Sequence, residues 1–417
     1  MTRRRRRSAA GRTVLTVVTA LGVLAGAALA GAAPAGAVPA SAVPAGTRIA
    51  PGVTYRQFDV DAAAGTAHAH LLTVDLGDPQ VRVDLLYPGA VAARAPLSRL
   101  AGSAGAVAGV NGDFFNITEV QHPGVPATGV SVGPAVADGQ ALKAAVPRGQ
   151  RFGPALPPGT NTQEVFGVGT DRRARLDRLS LAGSVGTPEG RIPLEGLNQY
   201  ALPQDSVGAF TSLWGSVSRE RAVCGTDTRR AAPCSTDTYE VEVRDGRVVS
   251  VSGAPGSGAI PADTTVLVGR EEGARQLRAL SVGDTVTVTH SLVATTSEVP
   301  YAFAIGGFPV LRDGRPLSGL DDTASAVRTA IGFRPGGQQL LILALDGAAT
   351  YRSGMTVAEE AETMRALGAS AAFNLDGGGS TDLVTRDADA TTVTVRNHPS
   401  GGAERLVPNG IGVFSAA

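Results

Sequence analysis

The last third of the chain carries the clearest pattern of apolar and polar positions. Residues 338–347, QQLLILALDG, form a continuous apolar run, which is typical of a strand buried on both faces. Thr356 and Glu359 have the spacing of a helix capping box, and Gly368 follows where a helix should end. Residues 369–376, ASAAFNLD, predict the next strand. This order of elements predicts a βαβ unit whose two strands run parallel.

The rest of the chain alternates short β-patterned segments with turn residues. Asp-Gly pairs between extended segments predict hairpins over residues 136–144, 241–251 and 309–317. One short helix is predicted over residues 271–280. We therefore predict an α+β fold, with a mixed β-sheet core, the βαβ unit near the C terminus, and a β-rich inserted region over residues 175–295.

The first 37 residues predict a secretory signal peptide. Five arginines at positions 3–7 precede the uncharged apolar run TVLTVVTALGVLAGAALA, and small residues suited to cleavage follow. A retained membrane anchor is the alternative, since the run has nearly spanning length. We predict that the protein is secreted or held at the cell surface, with membrane contact only through an uncleaved signal.

An Ala-, Pro- and Gly-rich linker is predicted over residues 38–52. Beyond it we predict one main domain built from residues 53–174 and 296–417, with residues 175–295 as an accessory region. Glycine and proline are abundant, at 54 and 26 residues, while aromatic residues make up only 4%. This composition favours turns and short strands over long helices.

The net charge bears on nucleic-acid binding, and the cysteines bear on disulfide formation. Six arginines and no acidic residue lie in residues 1–37, so the remainder has six more acidic than basic residues. Such a chain is not expected to bind nucleic acid. Cys224 and Cys234 lie in one polar loop, where export predicts a local disulfide. Of the five histidines only His68 and His70 are paired at strand spacing, and we expect most histidines at the surface.

Residues 373–381, FNLDGGGST, place three glycines directly after a predicted strand. A nucleotide-binding loop would be followed by a helix, whereas the sequence after this one is β-patterned. Bare backbone N–H groups can instead form a nest that binds an anion, with Asp376 beside it. A tight turn explains one or two glycines but not three. The candidate substrate-binding residues of this segment are Asn374, Gly377, Gly378, Gly379, Ser380 and Thr381.

Other carboxylates offer partners for Asp376. Asp346 ends the preceding apolar strand, and the carboxyl ends of parallel strands meet at one edge of a sheet. Asp113 follows Asn111 in GVNGDFFN, a segment that a hairpin turn explains equally well. We take Asp376, Asp346 and Asp113 as candidate catalytic residues and Asn111 as a substrate-binding residue. The alternating oxygen-bearing side chains that begin at Asn374 also allow a divalent cation such as Ca²⁺ as a cofactor.

Two further segments contain candidate substrate-binding residues. AIGGFPVLRDG includes Gly306 and Gly307, whose missing side chains permit close backbone approach. SAVRTAIGF holds Arg328 in otherwise small and apolar surroundings, followed by Thr329. The Arg328 guanidinium is predicted to bind either a substrate phosphate or a structural carboxylate.

These segments, in this order, resemble the phosphodiester glycosidase family. The resemblance covers residues 105–145 and 300–414, and it is carried by VNGDFFN, AIGGFPVLRDG, VRTAIGF, LLILALDG, SGMTVAEEAETMRALGASAAFNLDGGGSTDLV and VPNGIGVF. It implies an enzyme that hydrolyses sugar-1-phosphodiesters, of the N-acetylglucosamine-1-phosphate type, at the glycosidic bond. For an exported enzyme, cell-surface polymers or exopolysaccharides are the expected carbohydrate substrates.

Within that resemblance, Asp376 is the predicted principal carboxylate, with Asp346 or Asp113 as its acid/base partner. Two other functions fit the same residues. One is a non-catalytic exported module that binds glycans through the glycine loop. The other is a metal-dependent phosphodiesterase that attacks phosphorus and uses the three aspartates as metal ligands.

Overall fold

The computed structural model describes residues 46–348, 350, 354–387 and 389–415. The predicted signal peptide and most of the predicted linker lie outside these residues. Within them, no helix has both the length and the apolar composition needed to cross a membrane.

The described residues form short strands and a few helices. The strands are β1 (Thr47–Ala50), β2 (Val53–Ala62), β3 (Gly65–Asp75), β4 (Val81–Leu86), β5 (Ala108–Asn111), β6 (Ala135–Ala137), β7 (Gln140–Lys143), β8 (Glu164–Gly169), β9 (Ala174–Thr187), β10 (Gly190–Pro193), β11 (Gly196–Leu197), β12 (Val207–Phe210), β13 (Thr238–Arg244), β14 (Arg247–Ser252), β15 (Thr264–Arg270), β16 (Thr287–Ala294), β17 (Tyr301–Gly306), β18 (Phe308–Arg312), β19 (Arg315–Pro316), β20 (Thr329–Phe333), β21 (Gln339–Leu345), β22 (Ala371–Asn374), β23 (Leu383–Thr385), β24 (Thr394–Val395) and β25 (Gly410–Ser415). The α-helices are α1 (Leu97–Ala104), α2 (Glu272–Leu277) and α3 (Val357–Ala366).

These strands form four sheets. The largest has the order β1-β2-β3-β21-β20-β22-β18-β19, and a second has the order β10-β9-β8-β17-β6-β7 with β16 paired to β9. The other two have the orders β11-β12-β15-β13-β14 and β24-β23-β5-β25-β4. Buried apolar residues between the sheets form the main core, to which β21 contributes the unbroken buried run 340–345.

The predicted α+β class is wrong, because the chain is mostly β-structure, with 41% strand and 10% helix. The two strands that flank α3 do run in one direction. However, β20 lies between them and pairs antiparallel with both. Among the strand pairs of the described residues, only β11 with β12 is parallel. Short segments joined by tight turns pair most readily as antiparallel neighbours, and a local pattern gives no sign of a strand inserted from elsewhere.

The predicted turns and helix ends are confirmed. Each Asp-Gly hairpin turn has both residues at positive φ, as at Asp138 (47°) and Gly139 (74°), which suits the twist of the flanking strands. The Thr356 side chain accepts a hydrogen bond from the Glu359 N–H, and the Glu359 side chain accepts one from the Thr356 N–H, so the capping box is present. Gly368 has φ of 93° directly after the helix. These features depend on neighbouring residues alone.

Helix α3 contains a buried carboxyl group that links pH to stability. Neither carboxyl oxygen of Glu360 has a hydrogen-bond partner within the described residues. Burial raises the pKa of Glu360 from 4.5 to about 8, although the nearby Arg328 lowers it. The folded protein therefore keeps a proton that the unfolded chain releases, and stability falls as the pH rises through this range.

We expect Glu360→Gln to remove much of that pH dependence. Above pH 8 the variant should be more stable than the wild type by about 1–3 kcal/mol, because no charge is buried without a partner. Thermal unfolding between pH 4.5 and 9 measures the difference. Glu362→Gln, on the same helix and paired with Arg365, is the control. Identical pH profiles for the two variants would contradict the assignment.

Candidate active site

Three of the predicted segments, each from a different part of the chain, meet at the end of β5. The Asn111 side-chain amide donates to the backbone oxygen of Asp376 at 2.6 Å, and its carbonyl oxygen accepts from the Thr329 hydroxyl at 2.9 Å. The Asp376 N–H donates to the Gly112 carbonyl at 2.9 Å. Asn111 is fully buried. It therefore joins the glycine loop to the start of β20.

Asp113 lies in a cradle made by two glycines. Its Oδ2 accepts a hydrogen bond from the Gly133 N–H at 2.6 Å, and its own N–H donates to the side-chain oxygen of Asn409 at 3.0 Å. A Cβ atom at Gly306 would overlap Oδ2 and lie 2.6 Å from the Cα of Gly133. Burial raises the pKa of Asp113 to about 6, while the hydrogen bond from Gly133 lowers it. Asp113 therefore titrates close to neutral pH.

Lys143 is a buried cation next to this carboxylate. Its ammonium donates to the carbonyl oxygens of Val132, Gly133 and Ala144. Burial lowers the pKa of Lys143 to about 7, and the charge of Asp113 raises it. From the sequence alone, codon usage explained this single lysine better than a functional role. The available signal was that it is the only lysine in the chain.

Gly306→Ala tests whether activity depends on the close packing of Gly306 and Gly133 against the Asp113 carboxylate. The added Cβ would displace the Asp113 carboxylate from the Gly133 N–H, so we expect a loss of activity of about 10²-fold or more. Gly102→Ala is the matched control, because no atom lies within 4 Å of a Cβ at that position. Steady-state kinetics on a sugar-1-phosphodiester, the substrate class that the sequence resemblance implies, measures both. Equal activity of the two variants would show that the close approach has no role.

Each glycine of the triple-glycine loop has its own structural reason. A Cβ at Gly377 would overlap the backbone oxygen of Val327, to which the Gly378 N–H donates at 2.8 Å. Gly378 has φ of 60°, in the left-handed region. A Cβ at Gly379 would overlap the guanidinium of Arg405. The third glycine therefore lets an arginine lie directly against the loop.

The Asp376 carboxyl is coupled to its neighbours. Burial and, to a smaller extent, the negative charge of Asp113 raise the pKa of Asp376 to about 7. The Ser380 hydroxyl and Arg405 oppose this change. Arg405 also donates to the Ser380 hydroxyl at 3.2 Å. Asp113, Asp376, Ser380 and Arg405 therefore form one electrostatic cluster.

A third carboxyl lies beside the same arginine. Asp382 is fully buried, and burial raises its pKa to about 7, with a further increase from Glu404. Arg405 lowers it. One guanidinium thus faces both Asp376 and Asp382. No pattern in the sequence pointed to Arg405, which lies in a loop without regular structure.

Three more predicted substrate-binding residues lie near Asn111 and the glycine loop: Asn374, Gly307 and Thr381. The side-chain amide of Asn374 is buried and makes no hydrogen bond within the described part of the chain. Gly307 has φ of 150°, and a Cβ there would lie 2.5 Å from the Asn374 carbonyl. The Thr381 hydroxyl accepts from the Thr329 hydroxyl at 3.1 Å. An unpartnered buried amide is a group that a ligand can satisfy.

Two predicted site residues have other partners. The Arg328 guanidinium donates to the backbone oxygens of Met355, at 2.8 Å, and Ala324, at 2.7 Å. The Asp346 carboxylate lies 3.2 Å from His70 and 3.1 Å from His398. Burial raises the pKa of Asp346, but the hydrogen bonds from the two histidines lower it to about 2. Neither side chain belongs to the cluster around Asp376.

Two groups of histidine, cysteine and acidic residues among the described residues have the spacing of metal ligands. One combines His122 with Cys224 and Cys234, but those two cysteines are joined by a disulfide. The other consists of His68, His70 and Asp346. Our expectation that most histidines lie at the surface fails for His70 and His122, which are buried.

The fold is shared with proteins of known structure. A hypothetical protein from Synechocystis has 21% identity and a TM-score of 0.66, over 88% of this chain and 62% of that protein. A Burkholderia pseudomallei protein described as exported has 22% identity and a TM-score of 0.64, over 84% of this chain and 74% of that one. Similarity at this level shows the fold alone.

A weaker structural similarity connects the chain to the catalytic domain of zebrafish N-acetylglucosamine-1-phosphodiester α-N-acetylglucosaminidase. Its identity is 15% and its TM-score 0.45, over 90% of this chain and 87% of that one. No curated protein sequence matches the chain. Residues 237–414 match the sequence model of the phosphodiester glycosidase family, a segment that includes Asp376, the glycine loop and Arg405 but not Asp113. The resemblance to the phosphodiester glycosidase family is therefore confirmed over residues 237–414.

Proposed function

We propose that the chain is an exported phosphodiester glycosidase. It hydrolyses sugar-1-phosphodiesters, of the N-acetylglucosamine-1-phosphate type, at the bond between the sugar C1 and the bridging oxygen. Its substrates are polymers at the cell surface or exopolysaccharides. The observation that carries the proposal is the hydrogen bonding of Asp376 to Asn111 and Gly112, which brings it next to the Asp113 segment, beside a glycine loop against which Arg405 lies.

The two carboxyl groups have different roles in the reaction, one as acid and one as base. Burial raises the pKa of both groups, to about 7 for Asp376 and about 6 for Asp113, so near neutral pH each can hold or release a proton. Asp376 supplies the proton or hydrogen bond to the leaving oxygen. The ionised Asp113 stabilises the positive charge that grows on the sugar ring and assists the attacking water.

Arg405 and the loop N–H groups act on the leaving phosphate. A phosphate monoester leaves readily, so the site needs charge stabilisation more than strong general-acid catalysis. Arg405 lies against Gly379, where no side chain separates it from the loop. The water oxygen ends on the sugar C1, and the bridging oxygen leaves with the phosphate monoester.

Hydrolysis in ¹⁸O-labelled water tests this proposal. The purified protein is incubated with an α-linked N-acetylglucosamine-1-phosphodiester, and both products are analysed by mass spectrometry. The proposal predicts the label in the sugar. Label in the phosphate would instead indicate attack at phosphorus by a phosphodiesterase. No turnover with any such ester would favour a glycan-binding module.

A further inference from the structure

A cluster of two histidines and an aspartate lies where β3 pairs with β21, outside the Asp113–Asp376 pair. His68 and His70 are two positions apart on β3, so their side chains share one face of the sheet. Asp346 directly follows β21, and its N–H donates to the His68 carbonyl at 2.9 Å. The strand pairing thus places the aspartate next to both imidazoles.

The distances suit one shared metal ion. One ligand atom from each of the three residues lies within 4.8 Å of the others. The Nε2 atom of His70 is 3.2 Å from Oδ1 of Asp346. Ligand atoms around a four-coordinate zinc ion, at bonds of about 2.0–2.2 Å, lie roughly 3.3 Å apart. The side chains therefore need only small shifts to bind one ion.

Each imidazole is oriented through its other ring nitrogen. Nδ1 of His70 forms a hydrogen bond with the Tyr55 hydroxyl at 2.7 Å. Nδ1 of His68 lies 2.6 Å from a carboxylate oxygen of Asp59. These contacts assign the ligand role to Nε2 of both rings. Metal-binding histidines are commonly held in this way, with a carboxylate or other polar group on the nitrogen that faces away from the ion.

Burial leaves polar atoms in this cluster without satisfactory partners. His70 and Asp346 have side-chain exposures of 1% and 0%. Within the described residues, Oδ2 of Asp346 makes no hydrogen bond, and Nε2 of His70 has no hydrogen-bond partner apart from its 3.2 Å contact with Oδ1 of the same aspartate. A bound cation would satisfy both atoms, and His68, whose side chain is 27% exposed, leaves a route for the ion from solvent.

We propose that His68, His70 and Asp346 bind one divalent transition-metal ion of the zinc class, with the fourth coordination position open. Two imidazoles and one carboxylate favour such an ion over Ca²⁺, which prefers oxygen ligands. The three ligands are not the residues assigned to proton transfer, so the proposal does not depend on the proposed glycosidase activity.

Metal binding by the purified protein, produced without a polyhistidine tag and stripped with EDTA, tests this site. Isothermal titration with Zn²⁺ and elemental analysis after dialysis should give one ion per chain. Co²⁺ should give the visible absorption of a four-coordinate complex. His70→Ala should weaken Zn²⁺ binding by more than the roughly 10- to 100-fold that loss of an outer partner costs. Absence of one-to-one binding, or unchanged affinity in His70→Ala, would overturn the proposal.

Two further variants keep the test clear if His70→Ala does not fold. Asp59→Asn changes an exposed residue that contacts the outer nitrogen of His68, and it should weaken Zn²⁺ binding by roughly 10- to 100-fold. His290→Ala removes an exposed histidine outside the cluster and should bind Zn²⁺ like the wild type. An equal loss of affinity in His290→Ala and Asp59→Asn would show surface binding and contradict the assigned site.

Discussion

Asp376→Asn should reduce turnover of a sugar-1-phosphodiester by about 10²–10⁴-fold, the range typical of a lost acid or base group. Asparagine keeps the shape of the side chain but cannot carry or release the proton. It also removes a half-buried carboxyl whose ionisation is unfavourable, since burial and Asp113 raise its pKa. The fold should therefore not be weakened. Steady-state kinetics and thermal unfolding, measured on the same preparation, separate these two effects.

Asp322→Asn is the control for this experiment. Asp322 is exposed, and the same change there should alter neither turnover nor the melting temperature. Asp113→Asn should also reduce turnover strongly, because Asp113 is the proposed partner. Wild-type activity in Asp376→Asn would remove the central residue of the proposed mechanism.

Arg405→Met should lower kcat by about 10²–10³-fold, the cost typical of removing one group that stabilises charge in the transition state. Methionine retains much of the length of arginine but no charge. Loss of the guanidinium should also raise the pKa of Asp376 further, since Arg405 now lowers it. The pH dependence of kcat therefore gives a second readout. Arg191→Met, at an exposed position, should leave both unchanged.

Gly379→Ala gives an independent test of the same contact. The arginine is retained, but the added Cβ would overlap its guanidinium. We expect a defect in kcat of the same kind as in Arg405→Met. Gly401→Ala, where a Cβ would meet no atom within 4 Å, should behave like the wild type. A normal kcat in Gly379→Ala would mean that Arg405 does not need its place against the loop.

Local features of the fold could be predicted from the sequence because neighbouring residues determine them. The capping box at Thr356 and the Asp138–Gly139 turn depend on hydrogen bonds and backbone angles within a few positions. The α+β class was wrong because sheet pairing joins distant segments. Nothing in residues 338–376 alone predicts that β20 lies between β21 and β22.

In the candidate site, too, motifs could be predicted from the sequence but contacts between distant segments could not. The motifs around Asn111, Gly306 and Asp376 could be identified because glycines and polar residues interrupt apolar runs. Their contacts with Gly133, Lys143 and Arg405 could not, since those partners come from other parts of the chain without a motif. The same holds for Asp346, which the sequence placed beside Asp376 but which lies against His70 and His398.

The Asp376 carboxyl beside Asp113 is the centre of the proposed mechanism, and a ¹³C-NMR titration of its carboxyl carbon measures its pKa directly. We expect a pKa of about 7 in the wild type, raised mainly by burial, and a lower value in Asp113→Asn, because the Asp113 charge adds to the increase. A pKa near the ordinary 3.8, unchanged by Asp113→Asn, would contradict this mechanism.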